Sequence, residues 1–195
     1  MLTVVEPGTL PETIRSRCRS VVLRPVPPAA IERVLTEQYR VESAQATLLA
    51  RLADGRIGWA IRAAVDDTFM QRRARILDDA AILPRTGRIE RFSWAEKTAA
   101  DFSRDRVRVY DTLSLLASWW RDVLHHGAGR AHGIINTDRS EEIADVSAIC
   151  PPAGAVGMLR AILRARRDLD ANVNARLALE ALVLRLPPAR QVAGR

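Results

Sequence analysis

Lysine is nearly absent from this chain. Lys97 is the only one among 30 basic side chains in 195 residues, and arginine supplies the rest. A phosphate-binding loop of the Gly-rich, Lys-Ser/Thr type would have to use Lys97, yet its surroundings, Trp94-Ala95-Glu96-Lys97-Thr98-Ala99, contain no glycine. Glycine-rich dinucleotide fingerprints following a strand are missing too, which disfavours the common nucleotide enzymes. Cysteine is equally scarce. Cys18 and Cys150 stand far apart, giving neither a disulfide framework nor a paired-cysteine zinc motif, and they point to the reducing cytoplasm. No charge-free stretch reaches the roughly 18–20 residues that a bilayer span needs. Glu6 and Pro7 interrupt the opening apolar run before the first basic residue, Arg15, which argues against a secretory signal.

What is present is a globular composition. Hydrophobic residues make up 48% and charged residues 27% of the chain, enough apolar surface to repay chain ordering. The formal charge of +7 keeps an acidic partner such as nucleic acid in view, although no recognition-helix motif accompanies it.

Strand signals are confined to the start. Leu2-Thr3-Val4-Val5 and Ser20-Val21-Val22-Leu23 are short β-branched runs flanking a polar segment with room for one helical turn. Two such strands cannot form a stable sheet alone. They are expected to pair with something outside the sequence or to be extended arms, and the N-terminal part of a larger domain is expected to be missing. After Pro25, Pro27 and Pro28 the pattern turns helical. Ile31, Leu35 and Tyr39 form one stripe, Ser43 is the expected N-cap of a helix carrying Leu48, Leu49 and Leu52, Asp54-Gly55 stops it, and Trp59, Ile61 and Val65 mark a third helix.

Longer helices are predicted from Asp67 onward: Phe69 to Leu83, closed by Pro84, and Glu90 to Phe102. The clearest has Val109, Leu113, Leu116, Trp120 and Val123 at spacings of four, three, four and three, a stripe that faces a core. Beyond Gly127 and Gly129, a short helix to about Ile149 starts at Asp138 or Ser140. Pro151-Pro152 opens another with Val156, Leu159 and Leu163, and Ala175, Leu179, Leu182 and Leu186 define the last before Pro187-Pro188. The tail from Ala189 to Arg195 is expected to fray.

Few residues carry chemistry. Arg15-Ser16-Arg17-Cys18-Arg19 is either a solvated basic patch or a source of a guanidinium for a phosphate. His125 and His126 with His132 lack the spacing of metal ligands, and a helix C-terminus explains the adjacent pair. Trp119 and Trp120 suit core or subunit-interface packing, Asn172 and Asn174 suit helix capping, and Cys18 is expected to be a small packed residue.

These residues resemble a known family. Leu10-Pro11-Glu12-Thr13-Ile14-Arg15-Ser16-Arg17-Cys18 is similar to the Leu-Pro-x-Thr-[Ile/Leu]-x-Ser-Arg-Cys segment of bacterial clamp-loader subunits of the AAA+ class, and Leu2 to Pro7 to their sensor-1 strand. Gly55-Arg56-Ile57-Gly58-Trp59-Ala60 resembles the Gly-x-x-Gly-x-Ala of the delta-prime branch; the ATP-hydrolysing gamma or tau branch has its sensor-2 arginine where this chain has Gly58. Trp119-Trp120-Arg121-Asp122-Val123-Leu124 and Asn172 to Glu180 resemble delta-prime collar helices.

The resemblance implies a mainly α fold: an AAA+ remnant over residues 1–23, a three-helix lid over 24–66 and a helical collar over 67–195. It implies a non-hydrolysing subunit of the DNA polymerase III clamp loader. The partners would be the gamma/tau and delta subunits and, through the complex, the sliding clamp and primed DNA, with no membrane. Arg17 becomes a finger reaching a neighbour's ATP site, and Trp119, Trp120, Asn174 and Arg176 become subunit-interface residues. No cofactor or metal of its own is implied. The sensor-1 position falls on Val4 or Val5, which cannot polarise a phosphate. The alternatives are a C-terminal fragment of the gamma/tau ATPase, which Gly58 opposes, and a freestanding basic nucleic-acid-binding module. From the lone lysine it follows that the isolated chain neither binds nor hydrolyses ATP; saturable, Mg²⁺-dependent ATP binding in a calorimetric titration would contradict this.

Overall fold

Prolines and short acidic caps set most of the helix starts. The computed structural model describes residues 10–187, and over them it shows ten α-helices and no strand. The first runs Leu2–Val5 and the tail from Ala189 lie outside the described residues. α1 (Glu12–Arg15) is one turn after Pro11. Ser20–Leu23 follows as an extended segment without ladder hydrogen bonds, its Val21 and Val22 side chains 75% exposed. With no strand beside it among the described residues, the β-branched run stays an arm.

Three helices then enclose a small core. α2 (Pro28–Tyr39) has proline in its first turn and buries Ile31 and Leu35; it ends where Arg40 turns left-handed at φ 55° and the Val41 N–H closes onto the Leu35 carbonyl at 3.1 Å. α3 (Ser43–Leu52) is capped by Glu42 and not by Ser43 as expected. The Glu42 carboxylate accepts from the Ala44 and Gln45 N–H groups, satisfying two orphan donors where a serine hydroxyl would satisfy one. Gly55, at φ +78°, lies so close to Pro25 that an added Cβ would stand 2.5 Å from the proline Cβ. The Gly55 carbonyl takes the Val26 N–H at 2.9 Å, fastening the incoming arm to the turn before α4 (Ile57–Val65). Leu49, Ala50, Ala60 and Ala63 complete this cluster with the α2 residues.

The larger cluster is built on α7. α5 (Asp67–Ile82) starts at Asp66, whose carboxylate accepts from Thr68 and Phe69 N–H. The Thr68 hydroxyl bond, partly offset by burial, leads the causes that hold the Asp66 carboxyl below its ordinary range. A 3-10 turn at Leu83–Arg85 leads to α6 (Arg88–Arg104) and then to α7 (Arg106–Gly127), α8 (Ser140–Ile149), α9 (Pro152–Asp170) and α10 (Ala175–Val183). α7 packs against α5, α6, α8 and α9, and α10 lies on α6 and α9. The predicted stripe Val109, Leu113, Leu116, Trp120 and Val123 is buried as read from its spacing. α10 stops at Val183, a turn sooner than the spacing suggests, although Leu186 remains buried beyond it.

Two buried arginines tie this framework together. Arg73 of α5 is 3% exposed and forks onto Asp138, 2.7 and 3.0 Å to the two carboxylate oxygens, and donates to Asn136 Oδ1 at 2.7 Å. Asn136 in turn gives its side-chain amide to Asp122 Oδ2 at 2.8 Å and to Ser118 Oγ at 3.1 Å. The Asn136 and Ile135 N–H groups also donate to Asp122 Oδ2, at 2.7 and 3.1 Å. One connected set of bonds therefore fixes α5, α7 and the loop between α7 and α8. Arg91 of α6 works without a carboxylate. Its guanidinium donates to the carbonyls of Leu83, Pro84, Leu186 and Pro187, clamping the turn after α5 to the end of α10, and burial draws its pKa down.

Removing one partner of a buried pair strands the other. Arg73→Met is expected to cost about 3 kcal/mol in urea unfolding, whereas Arg85→Met, which breaks only the exposed pair with Asp145, should stay below about 1 kcal/mol. Equal losses for the two would show that the buried set does not organise the fold.

Candidate functional site

The basic segment is presented to solvent. α1 is closed by the Ser16 N–H bonding the Glu12 carbonyl at 2.9 Å, and the Arg17 and Cys18 N–H groups continue the turn onto Ile14 and Arg15. Between Pro11 and Ser20 only Ile14 is even partly buried, so Arg15, Arg17 and Arg19 project outward, and none has a carboxylate within 4.0 Å among the described residues. Such a guanidinium keeps its planar donor fork for an external oxyanion. Cys18 is exposed and not packed as expected; nothing apolar covers the turn that carries it.

Gly58 lies one residue inside α4 and is exposed. A Cβ built there meets nothing within 4 Å, so the missing side chain at this position is a matter of sequence and not of crowding.

The four expected interface residues separate into two pairs. Trp119 is 0% and Trp120 1% exposed, both inside the α7 core, so the interface expectation for these two is corrected: their indoles are covered by this chain's own helices. The stripe explains Trp120, and Trp119, one residue on, is buried because α7 has neighbours on several sides. Asn174 and Arg176 stay at the surface. Asn174 caps α10, its Oδ1 accepting from the Leu177 N–H at 3.2 Å. Arg176 bonds Glu180 one turn on at 2.7 Å and Glu96 of α6 at 3.0 Å, and these bonds, led by that to Glu180, raise its pKa. Asn172 is no cap. It sits in the preceding turn at φ 58° and accepts from Arg106 at 2.9 Å.

The histidines end α7 as the dipole favours. His126 Nδ1 lies 2.6 Å from Ser147 Oγ, and His125 packs over Gly133, where a Cβ would meet its ring at 2.7 Å. Among the described residues no three His, Cys, Asp or Glu side chains assemble into a metal-holding group. No single helix among them is long and apolar enough to cross a membrane.

A mainly helical chain organised on one long central helix is a fold shared by many proteins, and the comparisons narrow it. Residues 92–187, from α6 through α10, match the family described as DNA polymerase III, delta subunit, C terminal. Over 187 residues the chain is 28% identical to the DNA polymerase III subunit delta' of Bacillus subtilis (strain 168), covering 95% of this chain and 56% of that protein. The chain thus spans little more than half the length of that curated relative. No solved structure matches. The chain belongs to the delta-prime family of clamp-loader subunits and corresponds to the C-terminal part of its members.

Burial separates the two tryptophans from the surface pair in a way that unfolding can measure. Trp120→Ala is expected to cost about 3–5 kcal/mol, while Arg176→Ala leaves the denaturant midpoint close to that of the unaltered chain. A Trp120→Ala protein as stable as its parent would remove this indole from the core.

Proposed function

We propose that this chain serves in a DNA polymerase III clamp loader as a subunit that does not hydrolyse ATP and that lends Arg17 to the ATP site of a neighbouring subunit. The observation that carries this reading is the exposure of Arg17 on a one-turn helix within Ser16-Arg17-Cys18. Membership of the delta-prime family supports the clamp-loader setting. In this reading residues 1–23 are the end of an AAA+ domain, 24–66 a lid and 67–195 a collar that associates with gamma/tau and delta subunits. Asn174 and Arg176, at the start of α10, belong to the collar surface offered to them. The sliding clamp and primed DNA are reached through the assembled complex, in the cytoplasm.

The chemistry asked of Arg17 is electrostatic. As a γ-phosphoryl group transfers, charge spreads over its equatorial oxygens, and a guanidinium from outside the site stabilises that charge without a proton changing hands. Gly58 offers no guanidinium from within the chain, which agrees with a role in trans.

In a complete complex assembled with the full-length subunit, Arg17→Ala should slow DNA-stimulated ATP hydrolysis and clamp loading while leaving assembly intact. Arginine fingers contribute about 10³–10⁵ in rate at one site, and the bulk loss should be smaller because other sites in the ring keep theirs. Arg15→Ala and Arg19→Ala are the charge-matched comparisons. Three equal, salt-sensitive losses would identify a general basic patch and contradict the finger.

A further inference from the structure

A crevice of about 330 Å³ opens between α4, α5 and α7, where the smaller hydrophobic cluster meets the larger. Its floor is apolar: Leu52, Ile76 and Leu115 lie beneath the rings of Trp59 and Phe69. Those rings meet edge to face, with centroids 5.4 Å apart and planes inclined at 71°. The rim is basic. Arg56, Arg62 and Arg72 stand around it against one carboxylate, Asp111. None of the three arginines has an acidic partner within 4.0 Å among the described residues.

Two of these arginines are already held in place. Arg56 Nε donates to the Ala53 carbonyl at 2.9 Å and Arg72 Nη2 to the Arg108 carbonyl at 2.8 Å, so their remaining N–H groups need little ordering to receive a ligand. Arg62 lies over the Phe69 ring, 5.6 Å from its centroid, which shows that this aromatic wall accepts a planar cation on one side. Asp66, the nearest acid to Arg62 on the chain, has its carboxylate engaged by Thr68 and Phe69. An apolar floor with aromatic walls selects a flat hydrophobic body, and an uncompensated guanidinium rim selects an anionic group on it.

We propose that this crevice binds a small aromatic anion, a planar ring system carrying a single carboxylate or comparable oxyanion, with the ring against Trp59 and Phe69 and the acid toward Arg56 and Arg62. The volume lies at the low end of ligand pockets, about 300–1,000 Å³, and suits one or two fused rings. Because α4 belongs to the smaller cluster and α5 and α7 to the larger, an occupant touches both and holds them together.

The test titrates the purified chain with 1-naphthoate and, in parallel, with uncharged 1-naphthalenemethanol, read by calorimetry. One saturable site with Kd of about 1 mM or tighter is expected for the acid, and binding at least about tenfold weaker for the alcohol. The double variant Arg56→Gln, Arg62→Gln should weaken naphthoate by a similar factor and leave the alcohol unaffected. Gly58→Leu keeps the fold falsifiable as a separate matter, because its side chain enters open space and leucine favours a helix over glycine. It should abolish binding while the circular dichroism of the chain is retained. Equal binding of acid and alcohol, no saturable naphthoate site, or unchanged binding in Gly58→Leu would each overturn the proposal.

Discussion

The buried Arg73 guanidinium is the constraint on which the architecture turns. A charge at 3% exposure is tolerable only when its donors are taken up, and here Asp138 and Asn136 accept them while Asp122 accepts from Asn136. The loop from Ile134 to Arg139 has no long helix to fix its course. Its backbone is placed by the N–H groups of Ile135 and Asn136 on one oxygen of Asp122. α3 rests against the turn at Thr137–Arg139 at the end of that loop, so the seat of the smaller helical cluster on the larger passes through the same bonds. Arg121 adds a peripheral tie, 3.5 Å from Asp54 beside Gly55 and 3.6 Å from Asp122 Oδ1.

This arrangement divides the arginines by task. Arg73 and Arg91 are inside and spend their donors on the chain itself, holding helices that would otherwise meet only through apolar contacts. Arg15, Arg17 and Arg19 are outside on a one-turn helix, with nothing in the helical body to compete for them. In a chain with one lysine, the same residue type therefore serves as an internal strut and, on the proposed reading, as a tool for a neighbour's phosphate. The two uses differ only in whether carbonyls and carboxylates of the chain surround the fork.

Helix existence and the main core were readable from spacing. The α7 stripe obeyed the helical period because one face of a long helix meets a continuous core, and prolines marked α2 and α9 because they fit a first turn. Caps were harder. Glu42 displaced Ser43 because a carboxylate one residue earlier reaches two amides, a competition that spacing does not decide. The Trp119 interface reading failed because a stripe describes one face, whereas α7 has neighbours on several. The Arg73 network was invisible, since Arg73 and Asp138 are 65 positions apart and polar residues on a helix read as solvent-facing until the fold encloses them. Of the candidate site, the exposed Ser16-Arg17-Cys18 turn was legible only through resemblance; composition alone left a basic patch equally open.

The proposed placement of Arg17 is most directly tested by electron cryo-microscopy of the complete clamp loader, built with the full-length subunit and trapped with a γ-phosphate analogue and primed DNA. The account predicts the Arg17 guanidinium within about 3 Å of an analogue oxygen in the adjacent subunit's ATP site. Arg17 pointing to solvent in every occupied ring, with another side chain on that oxygen, would contradict it.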